Sequence, residues 1–374
     1  MGKRRGICAG LVFGALACSL VAILPSCTED STQSPPPGTV LSGIAIDDSA
    51  DADTPIDGPS DIGGYRDYSD AVFVREPYAY VAAYEYGLAI VDIRDPVRPV
   101  LAGQFDGFRV YGAWVTEDHR HAYVADSLRG LVILDLSDPA RPVRVRTLQS
   151  AGPTGTEYDL LFLGSVAGFR RDGREYLFAG MSTSAVILDI TDRENPAFVY
   201  GTSALGAHGS IKIRPPYAVL AGGIVSILDI DNVLAPTLHA AVDVPAAGAD
   251  LWTDTMTLAV SGGGGISFYD LRNPMLPEFL RTFGEQEFGT PLPTSQGLMI
   301  SGNYVHAALG ERGMVTIERT GPNPAGFRLV RITPMPDLDP ADALTPYAMN
   351  VWVSGGIAYV ACKEDGLRIV TVEP

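Results

Sequence analysis

An all-β fold, a seven-bladed β-propeller, is what this sequence predicts, and three observations predict it. One unit recurs: two short apolar strands, then a turn of the Asp-x-x-Asp/Asn-Pro type. It is clearest in YAYVAAYEYGLAIVDIRDPVRPVLAG from Tyr78 and HAYVADSLRGLVILDLSDPARPVRVRT from His121. An acid closes the third strand of five units, namely Asp92, Asp135, Asp189, Asp229 and Asp270, at intervals of 43, 54, 40 and 41 residues. Glu318 takes that place 48 residues further on, and Thr371 takes it in a seventh unit. A period near 40–45 residues with four short strands per unit marks the blades of a propeller. Finally, GLAIVDI, GLVILDL and SAVILDI are apolar almost without alternation, the pattern of a strand covered on both faces. β-Branched runs and dense Gly/Pro punctuation exclude a helical solenoid.

From the N-terminus, residues 1–26 read as an export signal. Lys3, Arg4 and Arg5 precede the apolar stretch ICAGLVFGALACSLVAIL, and Leu24-Pro25-Ser26-Cys27 follows. Leu at −3, Ser at −1 and Cys at +1 resemble the lipobox of bacterial lipoproteins, with Pro25 departing from the small or aliphatic residue usual at −2. That resemblance implies lipidation of Cys27, which becomes the mature N-terminus. An uncleaved membrane anchor and cleavage without lipidation are the other two readings. All three carry the body out of the cytoplasm, and Thr28 at +2 favours the outer membrane or cell surface over the inner membrane. Residues 27–38, with TEDSTQSPPPG, are too polar and proline-rich to fold and form a tether.

Residues 39–374 hold the propeller. The run TVLSGIAI at 39–46 precedes the first unit, while the seventh unit stops after its third strand. Val40-Leu41-Ser42-Gly43 echoes Val100-Leu101-Ala102-Gly103, the outer strand of the first blade. The expected closure is therefore an N-terminal strand that completes the last blade and removes its open edge. Asp47, Asp48, Asp51, Asp53, Asp57 and Asp61 crowd the connection that follows; lacking a closing glutamate, they read as a solvated acidic loop before a calcium site.

The repeat also resembles the LVIVD repeat family of exported bacterial and archaeal proteins. The segments that carry the resemblance are Leu88-Ala89-Ile90-Val91-Asp92, Leu131-Val132-Ile133-Leu134-Asp135 and Ala185-Val186-Ile187-Leu188-Asp189. The family implies an extracytoplasmic propeller and says little about mechanism.

The recurrent turn acids Asp92, Asp135, Asp189, Asp229 and Asp270 read as architecture. An Asp side chain bonds nearby backbone amides and fixes a turn, and proline presets φ. Ligand candidates lie instead on the innermost strands. Counting back from the second strand of each unit places Asp70, Tyr111, Asp159, His208, Asp250, Gln296 and Asn350 at the channel mouth, a set suited to a divalent cation or a polar small molecule. Net charge is −17, and because the three N-terminal cations stand without acids in the first 26 residues, the rest carries −20. Such a body repels phosphate backbones, so nucleic acid is not an expected partner. No Gly-x-Ser-x-Gly elbow, His-Glu-x-x-His pair or phosphate loop occurs, and no catalytic residue is assigned. Gly262–Gly265 suits a hairpin. Cys362, the single cysteine outside the N-terminus, reads as a small core residue. The expected function is a lipid-anchored binding or scaffold module for an envelope or surface protein, a polysaccharide or a small polar ligand, with no cofactor. The alternative is a metal-dependent hydrolase or lactonase-like enzyme that uses channel acids.

Overall fold

A computed structural model describes residues 35–44, 71–84, 86–106, 109–155, 157–203, 205, 209–262, 264–289, 297–321, 326–336, 346–363 and 366–372. Cys27, the acidic loop, Asp70, His208 and Gln296 lie outside the described residues. Residues 36–374 form one compact unit.

Seven four-stranded antiparallel sheets follow one another along the chain. In blade 1 the strands are Ala71–Arg75, Tyr78–Ala82, Leu88–Asp92 and Val100–Phe105, from the innermost outwards. Blades 2 to 6 repeat that order over residues 110–148, 165–202, 210–242, 248–284 and 298–333. The innermost strands touch in a closed circuit. Ala71–Arg75 lies against Val110–Val115, then come Ser165–Arg171, Ser210–Arg214, Gly248–Trp252, Leu298–Ser301 and Ala348–Ser354, and the last returns to the first. The architecture is a seven-bladed β-propeller.

Packing explains the unbroken apolar strands. Leu88, Ala89, Ile90 and Val91 are all fully buried, as are Leu131, Val132, Ile133 and Leu134, because each sheet is covered by a neighbour on either side. Phe73, Tyr80 and Ile90 of blade 1 share one core cluster with Trp114, Tyr123 and Ile133 of blade 2. Burying side chains of this size stabilises by about 1.5–3 kcal/mol each. Turns end the strands as their sequence dictates. The amides of Arg94, Ser137, Thr191, Asp231 and Arg272 donate to Oδ1 of Asp92, Asp135, Asp189, Asp229 and Asp270 at 2.7 to 3.0 Å. Gly262 pairs with Gly265 across a hairpin, and Cys362 is buried in the strand Ile357–Cys362.

Blade 7 is built from both ends of the described chain. Ala348–Ser354, Ile357–Cys362 and Gly366–Thr371 supply three strands, and Val40–Ile44 pairs antiparallel with the last. The register differs by one residue from the sequence echo. In blade 1 Leu101 faces Val91 and Gly103 faces Ile90. In blade 7 Val40 faces Val370 and Ser42 faces Ile369. Val40 thus takes the place of Leu101, and Leu41 the place of the bulged Ala102. Every blade carries that bulge at the same level, opposite the junction after Ile90, Ile133, Ile187, Ile227, Phe268, Thr316 or Ile369. One extra residue bends and twists the outer strand.

Thr371 accounts for the missing seventh acid. Its hydroxyl accepts from the Thr39 amide at 2.9 Å and donates to the Pro36 carbonyl at 2.7 Å, while Gly38 N–H donates to its carbonyl at 2.6 Å. The position that elsewhere fixes a turn here holds the incoming strand. Ser42 Oγ adds a bond to the Pro96 carbonyl at 2.5 Å, tying the strand to blade 1. Deleting residues 39–44 would expose the edge of Gly366–Thr371 and remove Leu41 and Ile44, uncovering the core between blades 7 and 1 against which they pack. The expected outcome is a loss of at least about 3 kcal/mol, a fall in Tm of roughly 5 °C or more, with concentration-dependent aggregation. Calorimetry and light scattering on the truncated chain check it, and an unchanged Tm would contradict the closure.

Candidate ligand-binding cavity

A cavity of about 480 Å³ lies in the central channel, lined by the innermost strands. Strand register sorts its walls into levels. Following Ile90 inward leads to Tyr80 and then Phe73, and the same walk in the other blades leads to Trp114, Ala167, Lys212, Asp250, Met299 and Trp352. Two residues earlier on those strands stand Ala71, Gly112, Ser165, Ser210, Gly248, Gly297 and Asn350. The cavity therefore has small and polar walls where the inner strands begin, and an aromatic belt one level deeper.

The belt is closely fitted. Phe73 and Trp352 meet edge to face with centroids 4.8 Å apart. Trp114 lies where a Cβ on Gly168 would be, 2.2 Å from that ideal position, so blade 3 admits the indole only because residue 168 is glycine. Asn350 uses Gly297 in the same way, with its amide nitrogen 2.3 Å from the ideal Cβ. Lys212 on blade 4 places its ammonium 5.1 Å from the ring centroid of Trp352 on blade 7. The lysine therefore spans the channel, and the ring face stabilises its charge by about 0.5–2 kcal/mol.

Asp250, at the same level on blade 5, is fully buried. Arg214 grips it through Nε at 2.7 Å and Nη2 at 2.5 Å, and the Leu251 and Ile300 amides donate to it at 2.9 and 2.8 Å. Arg214 also donates to the Ile300 carbonyl at 3.1 Å. The pair joins blades 4, 5 and 6, and its carboxylate is consumed by these bonds. Blade 6 carries another polar substitution nearby. His306 and Thr316 share a hydrogen bond of 3.1 Å, where blades 1, 2, 3 and 7 pair an aromatic ring with isoleucine. Burial pushes the His306 imidazole down to about 4, so it is neutral at pH 7.

The sequence candidates divide accordingly. Tyr111 and Asn350 line the cavity. Tyr111 meets Tyr84 edge to face at 5.7 Å. Asp250 reaches the channel level and is held by Arg214. Asp159 is not on an innermost strand; it lies exposed in the small hairpin Ser150–Ala151 and Tyr158–Asp159 between blades 2 and 3, and accepts the Leu161 amide at 2.8 Å. That hairpin is extra chain in the longest repeat interval, which displaced the count for blade 3. Among the described lining residues there is no carboxylate, and among the described residues no three His, Cys, Asp or Glu side chains gather as a metal site.

Lys212 escaped the sequence reading. Its signal is a cation in SIKIR, where the matching strands read AVFVR and GAWVT. Its ammonium makes no hydrogen bond or ion pair with a described residue. Burial pushes it down to about 8, with Asp250 opposing and Arg214 adding to the fall. A drop from 10.5 to about 8 corresponds to roughly 3 kcal/mol against the charged form. The unfolded chain keeps this proton up to about pH 10.5 and the folded chain releases it near pH 8. Stability therefore rises with pH across that window, and below it the whole penalty is present. Lys212→Met should raise stability by about 1–3 kcal/mol at pH 7, after the lost ring contact is subtracted. That gain should shrink towards pH 10.5. Denaturant unfolding at both pH values checks it, and a variant less stable at pH 7 would contradict the buried-charge account.

Comparison with known proteins agrees with this architecture. The LVIVD repeat model matches residues 67–107, 113–148 and 346–372, so the chain carries LVIVD repeats in blades 1, 2 and 7. No curated protein sequence matches the chain. Among solved structures, the WD40 repeats of RRP9 superpose with a TM-score of 0.59 at 12% identity, covering 83% of this chain and 96% of that one. U3-55K gives 0.59 at 12% over 82% and 96%, and Sqt1 of Saccharomyces cerevisiae 0.55 at 10% over 82% and 96%. Identity this low shows a shared fold alone.

Proposed function

We propose that this protein is a binding module held outside the cytoplasm, which takes a small ligand into its central channel. The observation that carries the proposal is the cavity, about 480 Å³ in volume, a size typical of small-molecule sites. It combines an aromatic belt, small walls and a few polar groups, the mixture that buries an organic molecule while fixing its orientation.

The cellular address rests on the N-terminal sequence: basic residues, an apolar stretch and Cys27 as the lipidated first residue of the mature chain. Pro36 and Gly38 are bonded to Thr371, at the end of the sheets that bears the Asp-x-x-Asp/Asn-Pro turns. The tether of residues 27–38 therefore leads into the propeller at that end. Leu234, Met275 and Leu276 stand exposed there. The small-walled part of the cavity lies at the opposite end, where the inner strands begin.

Two outcomes test this reading. A thermal-shift screen of small metabolites should find compounds that raise the Tm of the wild-type protein and leave Ala71→Trp, which fills the cavity wall, unmoved. Equal stabilisation of both would remove the channel as the site. Mass spectrometry of the protein from the membrane fraction should find an acylated Cys27 as the first residue; a chain that still carries residues 1–26 would point to the uncleaved anchor.

A further inference from the structure

The channel runs against the charge of the protein around it. The chain carries −17 overall, yet the charged side chains among the described lining residues are Lys212 and Arg214, with Asp250 buried behind Arg214. Arg214 and Asp250 neutralise each other through two hydrogen bonds, which leaves the net charge of Lys212. Arg75, one level deeper, rests over the rings of Phe73 and Trp114 at 5.6 and 5.8 Å and donates to the Val115 carbonyl at 3.0 Å. It adds to the positive potential without lining the cavity. No described lining residue is an acid. Lys212 is partly accessible while its strand neighbour Ile211 is buried, and the surface it exposes faces the cavity.

An unpaired cation is costly in such a place unless something compensates it. The Trp352 face is a partial compensation, since a ring quadrupole is much weaker than an anion. Phe73, Trp114 and Trp352 add flat apolar surface beside the charge, and Asn350 adds a neutral amide one level nearer the small-walled end. Resting on the small-ligand reading above, we infer that the cavity selects a small organic anion with a flat apolar body, an aromatic or conjugated monocarboxylate, whose carboxylate meets Lys212 while its body lies against the aromatic belt. The same charge rejects amines. A dianion is disfavoured as well, because Arg214 is already committed to Asp250.

Matched probes test the charge separately from the cavity. Calorimetric titration of the purified protein with 2-naphthoate, 2-naphthamide and 2-naphthylmethylamine compares an anion, a neutral molecule and a cation of one shape. At pH 7 the carboxylate should bind at least about tenfold tighter than the amide, the gain of one charge-assisted contact, and the amine weakest. At about pH 9.5 Lys212 is deprotonated while naphthoate stays ionised, so the preference should fall below about twofold. Lys212→Arg, which holds its proton at both pH values, should keep the preference at the higher pH, and Lys212→Met should lose it at pH 7 yet still bind the amide. Equal binding of carboxylate and amide by the wild type at pH 7 would overturn the anion selectivity and leave the small-ligand reading standing. If neither probe bound, both would fall. The pH series on the wild type decides the matter even if a variant folds poorly.

Discussion

Ring closure is the constraint on which the rest of the structure depends. A blade has no face of its own to spare, because each sheet is covered by the sheets on either side. An incomplete blade 7 would leave two neighbours uncovered and one strand edge unpaired. The chain meets this by bringing Val40–Ile44 back to Gly366–Thr371, at a sequence separation that joins the first and last described strands. Since the repeated bulge recurs in this strand at Leu41, the closing strand follows the same curvature as six outer strands that arrive by a short turn. Thr371 shows how one position changes its work. Where five blades place a carboxylate to bind amides of the following turn, blade 7 places a hydroxyl that both accepts and donates and holds the N-terminal segment instead.

Equivalence between blades also explains why chemistry gathers in the channel. Middle strands must fill the same gap seven times, and their residues vary within narrow limits of volume. Where they depart, they compensate: Ala259 is small beside the large Phe268 in blade 5, and His306 bonds Thr316 in blade 6. The innermost strands have open space on their channel side and are free of that limit. Phe73, Trp114, Ala167, Lys212, Asp250, Met299 and Trp352 occupy equivalent positions and range from aromatic and apolar to cationic and acidic. A fold with near-sevenfold backbone symmetry thus acquires a one-sided site, cationic at blade 4 and aromatic at blades 7, 1 and 2.

The blades were legible in the sequence because periodic burial and turn chemistry are local. GLAIVDI followed by Asp95-Pro96 specifies a buried strand and its exit without reference to anything distant, and the same holds for the N-terminal strand apart from one residue of register. A bulge produced that slip: it inserts Leu41 opposite no partner, which sequence matching cannot distinguish from a continuous echo. The channel was less legible, since it is assembled from seven separate segments and each needs its own register. Counting backwards succeeded at Asn350, stopped one residue short at Tyr111, and failed at Asp159, where an added hairpin lengthens the connection. Favouring acids as ligands also hid the site, because Asp250 is bound to Arg214 and the side chain that remains for a ligand is a lysine.

Lys212 and Asp250 are neighbours at one level with opposite charges, and the structure keeps them apart by giving Asp250 to Arg214. A direct Lys212–Asp250 pair would satisfy both charges and close the channel chemically. With Arg214 bidentate on Asp250, the planar guanidinium meets the carboxylate in the geometry that suits it best, and Lys212 is displaced onto the face of Trp352. Burial then opposes the ammonium by more than the ring returns, which is the signature of a charge retained for a reason other than stability. An arrangement that leaves a cation in an apolar channel, beside three aromatic rings and away from every described carboxylate except a committed one, is complete only when an anion enters.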